Sequence, residues 1–343
     1  MRKPYLILSI DGGGLRGIMA ARWLDKLWTP DPSKVPGHPA ARPVFLGVDL
    51  IAGTSTGGII ALGLADTMRP AHLVDLYADH AKTIFKDSRF DNLRDLGGLI
   101  GAQYNERHLR GVLDKTFTDR TLGDLRSRVL IPAFDLDRVV DGRRSWGAKF
   151  FHNFEGPDSD GDCRVADVAL YTSAAPTFFP AVDGFVDGGV VANNPSMAAL
   201  AQALDPRFGN QDLRDVWMLS IGTGENPQFI KGKRLDWGYA HWAKPLVGMI
   251  IDGAMGIADY QCRQLLGPRY CRVQLDLARP VAMDAPHEVD YLLKVADHHD
   301  LRPAQAFLSA FASASTLAFA SSSNKEEPQK AQRQDAETTE AVA

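Results

Sequence analysis

The residues Gly53-Thr54-Ser55-Thr56-Gly57 follow a short apolar run and precede a stretch of small and apolar residues. This is the G-x-S-x-G pattern of a strand, turn and helix, in which a tight turn projects the serine hydroxyl and the flanking glycines keep the neighbouring chain clear. Ser55 is therefore a candidate nucleophile, placed at a helix N-terminus where developing negative charge is favoured. A second group, Asp11-Gly12-Gly13-Gly14-Leu15-Arg16-Gly17, also follows an apolar run and contains a literal G-x-G-x-x-G. A dinucleotide site would need an acidic residue about 20 positions on, at the end of the second strand. Asp31 instead falls in a proline-rich connector, and the second strand ends in the Ser55 turn. The better use of Gly12, Gly13 and Gly14 is as backbone N–H donors around an anion, either a phosphate or the oxyanion of a tetrahedral intermediate, with Arg16 as a fixed positive charge beside them. The third group is Phe185-Val186-Asp187-Gly188-Gly189-Val190 followed by Asn193-Asn194-Pro195, where an aspartate stands in a glycine turn. A nucleophile, a base and an oxyanion hole are what acyl transfer requires.

Such residues need rigid elements to hold them. Tyr5 to Ile10 is a bulky, β-favouring run, and Gly14 to Trp28 has a helical pattern. A connector from Pro30 to Pro43 leads to a second strand, Val48 to Ala52, which turns into the small-residue helix after Ser55. Further strands are expected at Val129 to Phe134, Lys149 to His152, Val216 to Ile221 and Tyr270 to Leu275, with helices such as Asn105 to Lys115 and Asn194 to Leu204 between them. Strands alternating with helices predict a three-layer α/β sandwich. Phe307, Phe311 and Phe319 recur at near-helical spacing and are expected to cover the core.

The chain has 343 residues, of which 45% are apolar, enough for a substantial core. Lysine and arginine number 38 against 42 aspartate and glutamate, a net charge of −4 that offers no basic surplus for nucleic acid. Cys163, Cys262 and Cys271 are too few and too irregularly spaced for a disulfide framework or a zinc site, as in a reducing compartment. The apolar run from Tyr5 to Ile10 is shorter than a signal-peptide core, so a cytoplasmic protein is expected. No calcium loop of the D-x-D-x-D-G type occurs, and hydrolysis without metal or cofactor is expected. One domain is expected over residues 1–320, with a disordered tail over 321–343 that is rich in Ser, Glu, Gln and Thr and has no aromatic residue.

The three motifs together resemble the patatin-like phospholipase family, whose signatures are a D-G-G-G-x-R/K-G loop, a G-x-S-x-G elbow and a D-G-G/A turn, here in the expected order within residues 5–224. The segments Thr172-Ser173-Ala174-Ala175-Pro176-Thr177-Phe178-Phe179-Pro180 and Leu219-Ser220-Ile221-Gly222-Thr223-Gly224 are similar to the family too. The resemblance implies an α/β/α sandwich related to cytosolic phospholipase A2, with a central, mostly parallel sheet. It implies a Ser-Asp dyad that cleaves fatty acyl esters of membrane glycerolipids, Ser55 as nucleophile and Asp187 as base. Gly12, Gly13 and Gly14, with the amide near Arg16, would form the oxyanion hole, and Gly17, Gly53, Gly57, Gly188 and Gly189 complete the motifs. An aspartate with an ordinary pKa near 4 is a poor base, so burial must raise its basicity or a hydrogen bond must align it with Ser55.

Three alternatives remain at this point. A Ser, Asp, His triad has the right chain order in Ser55, Asp187 and His298 or His299. A non-catalytic lipid- or anion-binding module would keep the glycine loop as a cradle. Some bacterial patatin-like proteins are membrane-degrading effectors of antiphage defence, and similarity to them implies a cyclic dinucleotide as activator. For lipid access, Trp237, Tyr239, Trp242, Leu246, Met249 and Ile250 lie near Lys231, Lys233, Arg234 and Lys244, a mixture suited to peripheral contact with a membrane. Asp252 and Asp259 would face away from such a membrane.

Overall fold

In the computed structural model the described residues are 3–28, 47–85, 103–232 and 234–319. The connector expected from Pro30 to Pro43 and the tail over 321–343 lie outside them.

Strand β1 (Tyr5–Ile10) is apolar on both of its faces. Leu6, Leu8 and Ile10 enter the larger core cluster, and Ile7 enters a second one behind the sheet. A strand buried on both sides needs helices on both sides. The first layer is α1 (Gly17–Trp28), α2 (Thr56–Ala65), α3 (Pro70–Ile84), α4 (Glu106–Phe117) and α5 (Val165–Ser173). After these come the short α6 (Gly189–Ala192) and then α7 (Ser196–Leu204) and α8 (Tyr239–Leu266), whose Ala199, Leu200, Cys262 and Leu266 fill the second cluster. Helix α9 (Val289–His298) and the helix over 302–319 close the first layer. There Phe307 and Phe311 pack on Trp217, as expected, whereas Phe319 is exposed.

The remaining strands are β2 (Leu50–Gly53), β3 (Arg128–Val140), β4 (Arg143–His152), β5 (Phe185–Asp187), β6 (Val216–Ile221) and β7 (Tyr270–Val273). They form one seven-stranded sheet in the order β4-β3-β2-β1-β6-β7, with β5 paired to β3. The pairings β1 with β2, β1 with β6, β2 with β3 and β6 with β7 are parallel, and those of β3 with β4 and β5 are antiparallel. The sandwich is thus the expected one. The hairpin β3–β4 runs well beyond its expected ends. Its outer half carries the half-buried Asp135 and Arg138 and the exposed Asp137, Arg143 and Arg144, charges that mask a strand's apolar signature, and an ion pair of Arg144 with Asp137 holds it.

This topology sets the site. Ile10 is in register with Gly53, so the glycine loop after β1 and the elbow after β2 leave the sheet side by side. Asp187, at the end of β5, pairs with Ala133 of the next strand over.

Candidate active site

Ser55 stands directly between β2 and α2 with φ 55° and ψ −123°, a conformation that side chains other than glycine seldom adopt. Two contacts hold it there: its N–H donates to the Thr172 hydroxyl at 2.9 Å, and its carbonyl accepts from Ile59 at 3.1 Å. The flanking glycines are steric requirements. A Cβ at Gly53 would lie 2.0 Å from the Gly57 carbonyl, and one at Gly57 would lie 2.3 Å from that of Ile10.

The Ser55 hydroxyl donates to Asp187 Oδ2 at 2.6 Å, and the Gly189 N–H donates to Asp187 Oδ1, also at 2.6 Å. The carboxylate is buried, and this burial lifts its pKa from 3.8 to about 6 against the opposing pull of those two hydrogen bonds. A carboxylate of that basicity can take a hydroxyl proton near neutral pH, which a solvated aspartate does poorly. No histidine of the described residues contacts Ser55 or Asp187. His298 lies with Nδ1 2.7 Å from the Lys294 carbonyl, and the His299 ring packs on Trp23 at 5.0 Å. The triad alternative therefore fails.

Thr172 spans both halves of the dyad. Its hydroxyl accepts from Ser55 and donates to the Pro132 carbonyl at 2.5 Å, and its own carbonyl accepts from Gly188 N–H at 3.2 Å. Two residues on, the Ala174 carbonyl accepts from Asp187 N–H at 2.9 Å. The end of α5 thus sets the distance between Ser55 and Asp187.

The glycine loop needs two corrections. The Gly12 N–H donates to the Asn193 carbonyl at 2.9 Å, because the turn after Asp187 packs on this loop, and so it is not a donor for an oxyanion. The Arg16 N–H closes a tight turn onto the Gly13 carbonyl at 3.3 Å. Among the described residues no acceptor meets the N–H of Gly13 or Gly14. The Gly12 carbonyl is fixed by the Thr223 hydroxyl at 2.8 Å and the Asn193 amide at 3.4 Å. The Arg16 side chain donates to the Gly224 carbonyl at 3.0 Å; its burial lowers the guanidinium pKa, and Asp252 opposes this. Below the loop, fully buried Asp11 forms a bidentate pair with Arg272, at 3.0 and 2.6 Å, and Arg272 also donates to Ser220 at 2.8 Å.

Thr172, Asn193 and Arg272 were not singled out as functional by sequence. Thr172 lies in a segment already noted for its family likeness and Asn193 in the run that follows the Asp187 turn; Arg272 is one arginine in a strand and carries no local signal.

The family model for patatin-like phospholipase matches residues 8–200. A Pseudomonas aeruginosa protein named cGAMP-activated phospholipase is 34% identical over 283 residues, covering 80% of this chain and 79% of its own. An Escherichia coli protein of the same name is 35% identical over 258 residues, covering 70% of this chain and 69% of its own. Protein teg of Priestia megaterium is 28% identical over 335 residues, covering 89% of this chain and 98% of its own.

Proposed function

The chain belongs to the patatin-like phospholipase family and is a lipid ester hydrolase, and we propose that it works through a Ser55 acyl-enzyme with Asp187 as its base. What carries this is the 2.6 Å bond from Ser55 to Asp187, made by a serine in a strained elbow and by a carboxylate raised to about 6. As Ser55 Oγ attacks the ester carbonyl carbon, its proton passes to Asp187 Oδ2. The carbonyl oxygen becomes an oxyanion, and the free N–H groups of Gly13 and Gly14 receive it. Collapse breaks the ester C–O bond; the departing alcohol oxygen takes the proton from Asp187, which leaves the acyl group on Ser55. A water then attacks the acyl carbon and gives its proton to Asp187. As the second intermediate collapses, its bond to Ser55 Oγ breaks, Asp187 returns the proton to that oxygen, and the fatty acid leaves.

A second reading concerns control. Two relatives are named as cGAMP-activated, and this supports a cyclic dinucleotide as activator of the same dyad at the surface of a phospholipid membrane.

The test is fatty-acid release from mixed phospholipid vesicles by wild type and Ser55→Ala, with and without cGAMP, alongside labelling by a serine-directed phosphonate. Release by wild type alone, with the label on Ser55 alone, supports the dyad; release only when cGAMP is present supports the gate. A label on another serine, or release by Ser55→Ala, overturns the assignment.

A further inference from the structure

The outward side of α8 is apolar where a surface helix ordinarily carries charge. Leu246, Met249, Ile250, Ile257 and Tyr260 are 45, 49, 55, 60 and 64% exposed. Their spacing puts all five on one face at 3.6 residues per turn. The opposite face is already used: Ala258, Cys262 and Leu266 are buried, and Met255 Sδ accepts from the Asn193 amide at 2.8 Å. Charges keep to the flank, as expected for Asp252 and Asp259. Asp252 acts on Arg16, and Asp259 is bound by Arg263 at 3.1 Å and by the Tyr270 hydroxyl at 2.8 Å.

The loop before the helix also carries exposed apolar side chains. A Cβ on Gly248 would come within 3.8 Å of Gln228 Oε1, so the preceding loop meets α8 on the side away from the stripe. In that loop Phe229 is 86% exposed and Ile230 follows it. Lys231 and Arg234 are exposed at the same end, opposed only by Asp236 among the described residues from 228 to 238. Trp237 and Trp242 stack edge to face at 5.1 Å there, and Tyr260 stands at the other end of the stripe. Aromatic side chains with a polar tip at both ends of an aliphatic band, with cations beside it, fit the boundary between acyl chains and anionic headgroups. A contiguous apolar patch of this kind is uncommon on a surface that meets only water. Helix α8 also packs on α6, whose Gly189 holds Asp187.

We propose that the outward face of α8 is the surface that seats this enzyme on an anionic phospholipid bilayer. The proposal rests on lipid being the substrate and is independent of which residues perform the chemistry. Docking here leaves α8 between the bilayer and the elements that carry Asn193 and the Asp187 turn.

The experiment is co-sedimentation with vesicles of phosphatidylcholine and phosphatidylglycerol in a Ser55→Ala background, with and without Met249→Glu plus Ile250→Glu. The double substitution should weaken partitioning about 100-fold, roughly tenfold for each apolar side chain withdrawn from lipid. Binding should also fall with added salt and on pure phosphatidylcholine. With Ser55 intact, the double variant should take the phosphonate label as wild type does, which shows a folded site. Equal partitioning of both proteins overturns the proposal. So does a wild-type oligomer in sedimentation velocity that the double substitution dissociates without changing vesicle binding, since a second copy then covers this face. If wild type docks through this face yet releases no fatty acid with or without cGAMP, the hydrolase reading fails and the docking stands.

Discussion

Exchanging Asp187 for asparagine should abolish turnover and, at neutral pH, make the protein more stable. Burial lifts the folded carboxyl from 3.8 to about 6, and the bonds from Ser55 and Gly189 offset only part of that. The folded pKa therefore lies above the unfolded one. Between about pH 4 and pH 6 the folded protein holds a proton that the unfolded chain has released, so stability falls as pH rises through this window. Above it the whole penalty remains, a gap of about 2 in pKa at 1.36 kcal/mol for each, or about 3 kcal/mol. Asparagine keeps an acceptor for the Gly189 N–H and can donate to Ser55 Oγ, but carries no charge. Urea unfolding should show the two proteins nearly equal near pH 4 and the variant ahead by about 3 kcal/mol above pH 7. On the activity side, wild-type kcat/KM should drop below about pH 6 and stand near a tenth of its plateau at about pH 5, as the fraction of ionised Asp187 falls. A variant less stable than wild type above pH 7, or wild-type activity that stays level down to pH 5, would refute the argument that burial makes this carboxylate a base.

Two further substitutions probe the frame. Thr172→Val leaves the strained Ser55 amide without its acceptor, so kcat should fall about 100-fold with KM little changed, and Thr172→Ser should recover most of it; steady-state kinetics with a thermal melt separate this from unfolding. Arg272→Met strands the Asp11 carboxylate in the core and should cost about 3–5 kcal/mol in urea unfolding.

The parts of the site that sequence revealed are those in which backbone geometry dictates residue type. Gly53 and Gly57 have no room for a Cβ, Ser55 must stand exactly between them, and a strand with two apolar faces must precede them. Those demands are local and leave a pattern. The oxyanion loop shows where such reasoning stops. A run of glycines announces donors, but which N–H is free depends on what packs on the loop, and Asn193, far along the chain, takes Gly12. Arg272 was hidden for the same reason, since its partner Asp11 lies across the sheet. Likewise Trp237 to Ile250 suggested an interface, but the exposed stripe continues to Ile257 and Tyr260, because which face of α8 is left outward depends on where Met255 and Cys262 pack.

In the proposed mechanism a dyad suffices because of where the aspartate sits. In a Ser-His-Asp arrangement the histidine supplies a base whose pKa is near neutral, and the aspartate orients it. Here one carboxylate meets both needs. Desolvation brings it to about 6, close to the ordinary value of a histidine, and the Gly189 N–H fixes its rotamer from behind while Oδ2 faces Ser55. The cost is paid in stability, since the ionised carboxylate is held where water cannot reach it, and the Gly189 hydrogen bond limits that cost without removing it. A stronger donor in its place, such as a nearby arginine, would hold the pKa down and weaken the base. The arginine of the glycine loop, Arg16, is turned away onto the Gly224 carbonyl, and Arg272 is occupied by Asp11. In the proposed mechanism, keeping cations off Asp187 therefore matters as much as the 2.6 Å bond to Ser55.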